Sequence, residues 1–212
     1  MNYGLRRGHR RRRKSTSFLL LFLITVFAVC AAVFFWRAGE SGYDYFTRSA
    51  RYDAMIRNAG LRNHIDPLLI KAVIWKESRF NRCARGLKGE IGLMQIMPGY
   101  AATDWAAAHR RRVPSKGALY DPELNIDVGA WYLSRALRRY QGYKDRIALA
   151  LCEYNAGARR VSDWKPANPN DSAVDRITIP STRQYVKDIL KQYEYYKEQE
   201  KLSDRKKKKG FR

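Results

Sequence analysis

Between Phe18 and Trp36 the chain runs for 19 residues without a charge, and Thr25 is a mildly polar member of the run. Seven cations and no anion precede it: Arg6, Arg7, Arg10, Arg11, Arg12, Arg13 and Lys14. At a rise of about 1.5 Å per residue, such a helix just crosses a hydrocarbon core of about 30 Å. A helix inside a water-soluble domain is rarely apolar on every side for so long. Only Arg37 follows directly, so the charge asymmetry keeps the N-terminus cytoplasmic and sends everything after Trp36 across the membrane. The competing reading is a cleaved signal peptide. Against it, the run is longer than an ordinary signal core and closes without a small-x-small cleavage site. Lipoprotein processing at Cys30 is disfavoured by the large Val29 before it and by the apolar residues that continue past it.

The sequence therefore divides into a basic cytoplasmic tail (1–17), a transmembrane signal anchor (18–36), a Gly-containing stalk (37–50), a domain (51–198) and a basic C-terminal tail (199–212). The expected location is the inner membrane, single-pass, with the domain in the periplasm. The whole chain carries 42 Lys and Arg against 20 Asp and Glu, a formal charge of +22. Removing the two tails leaves 28 cations and 18 anions, so the middle is still basic by ten charges. Such a balance favours an acidic polymer as partner. No nucleic-acid partner is expected, because the cation runs sit in the tails and the middle lacks a recognised nucleic-acid motif.

Cys83 and Cys152 would both face an oxidising compartment and are able to pair if their Cα atoms lie within about 7 Å. No CxxC spacing occurs, and His9, His64 and His109 stand alone, so no metal site is expected.

From about Arg51 the pattern is helical. Asp66-Pro67 and Asp121-Pro122 are helix starts, since Asp can accept from free backbone N–H groups and proline suits the first helical position. The first predicts a helix to about Arg79, and the second an apolar stripe through Ile126, Gly129, Leu133, Leu137 and Tyr140 that ends at Gly142. Asp145 opens a helix that stops at Gly157, Pro166 to Pro180 reads as a long loop, and a last helix spans about 182–198. A helix from about Tyr100 to Arg111 follows the short apolar run Ile91–Met97. The fold class is mainly α, with at most a small sheet near residues 83–91.

Ile70, Ile74 and Glu77 fall at i, i+4 and i+7, which puts a carboxylate on an apolar helix face. Burial disfavours the charged form of such a group and raises its pKa, the property a glycosidase acid needs. The bland alternative is a Glu turned aside to a helix end or to Arg79.

Five blocks carry a resemblance. They are Asp66-Pro67 through Ala72-Val73-Ile74 to Glu77-Ser78-Arg79-Phe80-Asn81; Gly89-Glu90-Ile91-Gly92-Leu93-Met94-Gln95-Ile96-Met97-Pro98; Tyr120-Asp121-Pro122 with Asn125-Ile126 and Gly129; Glu153-Tyr154-Asn155-Ala156-Gly157; and Thr182-Arg183-Gln184-Tyr185-Val186. In this order the chain resembles the soluble lytic transglycosylase catalytic domain, a relative of goose-type lysozyme, across about residues 51–196. The resemblance implies a lysozyme-like fold and cleavage of the β-1,4 bond between N-acetylmuramic acid and N-acetylglucosamine in peptidoglycan. It implies Glu77 as the catalytic acid, with Ser78, Met94, Gln95, Tyr154, Asn155 and Tyr185 as substrate-binding residues, and no cofactor. Met94, Tyr154 and Tyr185 are also residue types that simply fill interiors.

The sequence departs from the family pattern at five places. Arg82 stands where relatives have proline, Gly86 where they commonly have Ser, Glu90 where they have Ala, Glu153 where they have a small residue, and Ser181 where they often have Glu. Glu153 is the chief suspect for a second carboxylate. A second carboxylate in the cleft would open a lysozyme-like hydrolysis, the alternative within the enzyme class. A non-catalytic wall-binding or nucleic-acid-binding module is the alternative outside it.

Overall fold

A computed structural model describes residues 22–32 and 48–210. The chain divides after Thr47 into two compact units. In the first, residues 22–32 form helix α1, with Phe22, Phe27 and Val29 exposed. Among the described residues no helix is long and apolar enough to cross a membrane. The expected anchor, 18–36, lies partly outside the described residues, as does the expected stalk for all but its last three positions.

The second unit is a helical domain. Its elements are α2 (Asp53–Asn63), α3 (Pro67–Ser78), α4 (Ala101–Ala108), α5 (Pro122–Arg139), α6 (Arg146–Ala156), α7 (Ala158–Trp164) and α8 (Pro180–Gly210). Both Asp-Pro starts form as the sequence predicts. The Asp66 side chain accepts from the Leu68 N–H at 2.8 Å and Asp121 from the Leu124 N–H at 2.9 Å, with Pro67 and Pro122 as first helical residues. Asp145 opens α6 without capping it; its carboxylate instead accepts from the Ala173 N–H at 2.9 Å and ties down the loop before α8.

Helix α3 is the centre of the domain. Leu69, Ile70, Ala72, Val73 and Ile74 are all buried, so its middle is enclosed on nearly every side. It packs between α2 and α8, and α5 packs on α2 and α6. From α8 come Tyr185, Val186, Ile189, Tyr193 and Tyr196, at helical spacing and all buried. The Tyr193 hydroxyl also donates to Asp66, so α8 holds the start of α3 as well as its end. Each large aliphatic side chain enclosed in this way stabilises the domain by about 2 kcal/mol through loss of apolar surface from water.

Three expectations need correcting. Helix α5 stops at Arg139, before Gly142, with Tyr140 as its cap. Helix α7 follows Gly157 directly, where the sequence suggested no helix. The last helix does not end near Glu198 but continues to Gly210, through the stretch read as a tail. Residues 199–209 are mostly Lys, Glu, Gln, Arg and Leu with no Gly or Pro, all good helix formers, so nothing stops the helix before Gly210.

Among the described residues no strand forms; two isolated antiparallel bridges, Arg85 with Ile91 and Ile91 with Ile96, stand where a small sheet was expected. The irregular segment between them is held by Asn125, which lies in the first turn of α5 and is almost wholly buried. Its amide nitrogen donates to the Ile91 carbonyl at 2.9 Å and the Leu119 carbonyl at 2.8 Å, while its oxygen accepts from the Met94 N–H at 2.8 Å. Gly92 has φ +79°, and a Cβ there would lie 2.4 Å from the Asn125 amide nitrogen, so only glycine satisfies both the turn and the clamp.

Replacing Asn125 with Asp keeps the shape and the acceptor but removes two donors. Each buried carbonyl left unpaired costs about 1–3 kcal/mol. Asn125→Asp should therefore destabilise the domain by roughly 2–4 kcal/mol at neutral pH in urea unfolding. A midpoint unchanged from wild type would show that the clamp does not hold the turn.

Candidate active site

Glu77 sits in the last turn of α3, where the buried centre of the helix gives way to an edge. The helix ends because Arg79 and Phe80 both take left-handed conformations, with φ of 52° and 63°. Non-glycine residues seldom adopt this region. The reversal drives Phe80 into the core, where it is fully buried, and swings Arg79 out over the Trp75 ring at 3.7 Å. Arg79 is thus engaged by an aromatic face, and Lys76 is paired with Asp188 at 2.7 Å. Neither cation is bonded to the Glu77 carboxylate.

What does meet that carboxylate is Tyr185, whose hydroxyl donates to Oε1 at 2.5 Å. Burial is the largest influence on Glu77 and favours its neutral form. The tyrosine hydrogen bond and Lys76 favour the ion, while the negative charge of Glu90 opposes it. Burial prevails, and the pKa rises from an ordinary 4.5 to about 7. Glu77 nonetheless retains a partly solvent-open edge, as a group that meets substrate must. The hydroxyls of Tyr154 and Tyr185 are both pushed well above the usual phenol range, first by burial and then by the charge of Glu77. They stay protonated and serve as donors.

A cleft of about 450 Å³ has walls that include Glu90, Gln95, Tyr132, Glu153, Tyr154 and Asn155; Glu77 is not itself a wall residue, but the charge of Glu90 acts on it and its own charge acts on Tyr154. Tyr154 is half-buried, packs edge-on against Tyr132, and donates to the Met94 carbonyl at 2.7 Å. Gln95, at φ 49°, turns its amide nitrogen back onto the Gly92 carbonyl at 2.9 Å, with its carbonyl oxygen over Gly86. Asn155 is exposed and accepts from the Thr182 hydroxyl at 2.8 Å, joining α6 to α8. A second cavity of about 500 Å³ at Arg62, Trp105 and His109 shares no wall residue with this cleft, and its carboxylates Asp121 and Asp127 hold the α5 start and Arg62.

The structure thus brings Glu77, Gln95, Tyr154, Asn155 and Tyr185 to one side of the domain. Two expected contact residues stand differently. The Met94 side chain is fully buried, lodged against Gly129 so closely that a Cβ there would lie 2.4 Å from its sulfur. Met94 supports the cleft from beneath through its carbonyl, and does not line it. Ser78 turns its hydroxyl back onto the Ile74 carbonyl at 3.2 Å, a bond within its own helix.

Glu153, the suspected second carboxylate, is buried with 1% of its surface exposed. Its two oxygens accept from Arg139 and from the Tyr140 hydroxyl, each at 2.8 Å. The pair offsets the cost of burying the charge and leaves neither oxygen free for a sugar. Cys83 is exposed and Cys152 buried, both as free thiols, so the possible disulfide does not form. Asn125, Glu90 and Tyr132 are site residues to which the sequence assigned no role. For Asn125 the available signal was a polar residue within an otherwise apolar helical stripe. Among the described residues no three His, Cys, Asp or Glu side chains gather as metal ligands would.

A central apolar helix that ends in a buried acid, flanked by an irregular turn and a tyrosine-lined cleft, defines a lysozyme-like domain. The family model for the transglycosylase SLT domain matches residues 54–176, more than half of the chain, and the chain belongs to that family. It is 35% identical over 130 residues to the soluble lytic murein transglycosylase of Escherichia coli (strain K12), covering 59% of this chain and 20% of that protein. It is 35% identical over 119 residues to the membrane-bound lytic murein transglycosylase C of Edwardsiella ictaluri, covering 54% and 33%. Among solved structures it is similar to the lytic transglycosylase Slt of Pseudomonas aeruginosa, described as an inactive Glu-to-Gln mutant. That match has a TM-score of 0.62 at 30% identity and covers 69% of this chain and 24% of that one. A complex of a 70-kDa soluble lytic transglycosylase with bulgecin A matches equally well, with a TM-score of 0.62 at 31% identity over 69% and 24%. The chain spans about a fifth to a third of the length of these relatives.

The raised pKa makes a stability claim with a definite sign. Folded Glu77 holds its proton up to about pH 7, whereas the unfolded chain releases it near 4.5. Between these values the native state binds more protons, so the stability it contributes falls as pH rises and is lost above 7. Glu77→Gln, which imitates the neutral acid, should match wild type near pH 4.5. It should exceed wild type above pH 7 by on the order of 1 kcal/mol, roughly 2–4 °C in Tm. Melting curves at both pH values check this; a difference independent of pH would remove the basis for a buried, proton-holding acid.

Proposed function

We propose that this protein is a lytic transglycosylase that cleaves the β-1,4 bond between N-acetylmuramic acid and N-acetylglucosamine in peptidoglycan, with Glu77 as its single acid and base. The observation that carries the reading is a carboxyl group lifted to about pH 7 by burial, held by Tyr185 and coupled through charge to Glu90 and Tyr154 of the cleft wall. Glu77 donates its proton to the glycosidic oxygen as the bond from that oxygen to the anomeric carbon breaks. The muramic C6 hydroxyl oxygen then bonds to the anomeric carbon, and its proton returns to Glu77. The product carries a 1,6-anhydro ring and no water is consumed. The acetamido oxygen is able to share the positive charge that develops at the anomeric carbon, as in substrate-assisted glycosidases. Gln95, Tyr154 and Asn155 supply the polar wall against which the sugars lie, and Tyr185 orients the acid. No cofactor enters this reaction.

The mechanism needs one carboxyl group, whereas a retaining hydrolase needs a second about 5 Å from the first and an inverting one about 6.5–9.5 Å. The sequestration of Glu153 by Arg139 and Tyr140 supports the single-acid reading. Digestion of purified sacculi by residues 37–212 should release anhydromuramoyl products, lighter than the hydrolytic ones by one water. Glu77→Gln should reduce the rate by at least about 10²–10⁴-fold, the usual worth of general acid catalysis, while the fold persists. Glu153→Gln should leave the product unchanged. Reducing muramic ends would mean a hydrolase, and loss of activity in Glu153→Gln with retention in Glu77→Gln would move the acid elsewhere.

The domain is held to the inner membrane by the uncharged run 18–36, with residues 1–17 cytoplasmic, 37–50 as a stalk and the catalytic domain in the periplasm. The arginine-rich flank supports this topology, and a relative named as membrane-bound is compatible with it. Protease added to spheroplasts should destroy the catalytic domain and spare an N-terminal tag. A mature chain beginning near Ala38 would establish a cleaved signal instead.

A further inference from the structure

The turn before the cleft contains an arrangement that the reaction described above does not use. Gly86, Lys88, Gly89 and Glu90 close it: the Gly86 N–H donates to the Glu90 carbonyl at 2.9 Å and the Gly89 N–H to the Gly86 carbonyl at 3.1 Å. The Glu90 side chain folds back over this turn. A Cβ built on Gly86 would lie 2.2 Å from Glu90 Oε2 and 2.9 Å from Gln95 Oε1. The space that a side chain at position 86 would fill is therefore occupied by two oxygens, one from a carboxylate and one from an amide. The departures at 86 and 90 are two halves of one exchange.

Each of the two side chains keeps one acceptor oxygen that no hydrogen bond occupies. Gln95 Nε2 is committed to the Gly92 carbonyl, so Oε1, which lies over Gly86, keeps its acceptor capacity. Glu90 Oε2 accepts from the Lys88 N–H at 2.9 Å, which anchors the carboxylate and leaves Oε1 available. Glu90 is half-buried, and it and Gln95 both line the 450 Å³ cleft. A carboxylate and an amide oxygen side by side, with no donor side chain among their bonded neighbours and acceptor capacity left on each group, are built to receive a donor. In a glycan cleft the available uncharged donors are sugar hydroxyls and the acetamido N–H.

We infer that Glu90 is a substrate-contacting, specificity-determining residue: with Gln95 it forms a paired acceptor that receives a hydroxyl or acetamido N–H of an uncharged N-acetyl sugar. The inference rests on the glycan-cleaving reading above. A second effect follows from place. Glu77 is faced by Lys76 on its own helix, by Tyr154 from α6, by Tyr185 from α8 and by Glu90 from the turn. Among these Glu90 is the anion, and its charge helps Glu77 keep the proton it must donate.

Steady-state cleavage of isolated glycan strands by the full-length protein, its Glu90→Gln variant and the double variant Gly86→Ser/Glu90→Ala tests this. Gln keeps the length and one acceptor oxygen but replaces the other with a donor and removes the charge. For Glu90→Gln, KM should rise roughly 10-fold, as for loss of one hydrogen bond to a charged group, with kcat near pH 6 changed far less. The alkaline limb of the pH profile should move to lower pH. The double variant refills the space without a carboxylate, so it should recover thermal stability but not KM. Recovery of KM in the double variant would make Glu90 a spacer and overturn the inference, as would an unchanged KM or an unfolded Glu90→Gln protein. Wild-type protein inert toward glycan strands would instead overturn the proposed function, which separates the two failures.

Discussion

Three backbone groups from two irregular segments meet on one buried side chain, the Asn125 amide, and the catalytic side of the domain depends on that meeting. Residues 91–96 have two bridges and no strand to define them. A loop buried with its polar groups unpaired would be unstable, and Asn is suited to the position because one planar amide offers both donors and acceptors. The consequences spread outward. Gly92 must be bare because the amide lies against it, Met94 is drawn inward onto Gly129, and Gln95 is left in a left-handed conformation with its oxygen over Gly86. Since Asn125 belongs to the first turn of α5, the Asp121 cap that starts this helix also sets the height of the cleft floor.

Much of this was legible in the sequence and some was not, for reasons that differ by residue. The Asp-Pro starts of α3 and α5 were readable because capping is local chemistry: a side chain and a ring act on backbone groups two or three residues away. The family was readable because five blocks occur in order. Helix α7 was not, since it is seven residues long and begins directly after a glycine that ends α6. The inward turn of Met94 was not readable either, because an irregular segment has no period from which to tell inside from outside. Glu153 is instructive in the opposite direction. Its position before Tyr154 drew suspicion, but its partners come from the end of α5, Arg139 and Tyr140, and such a pairing depends on tertiary packing.

The state of Glu77 is decided by competition. A hydrogen bond from Tyr185 and the nearby Lys76 both favour the carboxylate, and either could have produced an ordinary ionised glutamate. Two features of the packing limit them. Arg79 is removed by the left-handed turn that ends α3 and lies over Trp75, and Lys76 is satisfied by Asp188. With the cations drawn off, desolvation is the largest influence that remains. The left-handed turn at Arg79 and Phe80 therefore goes with a chemical consequence, because Arg79 lies over Trp75 and is not among the groups that favour the ionised Glu77.

A single acid that acts twice places two demands on one pKa. In the first step of the proposed reaction Glu77 holds a proton at the pH of the compartment and gives it to a weakly basic oxygen, which a value near 4.5 would disfavour. In the second it must take a proton from the C6 hydroxyl, and a carboxylate of higher proton affinity is the stronger base. Raising the pKa to about 7 serves both steps, whereas a two-carboxylate enzyme must separate its groups into a neutral acid and an ionised partner. The acidic departures in this chain are compatible with that economy in different ways. Glu153 reaches the cleft wall but is enclosed with an arginine and a tyrosine, so its charge is compensated there. Glu90 stays in the cleft beside Gln95, where its charge raises the proton affinity that both steps require. A second carboxylate in this position strengthens the first one as an acid-base group, and the mechanism does not need it as a separate base.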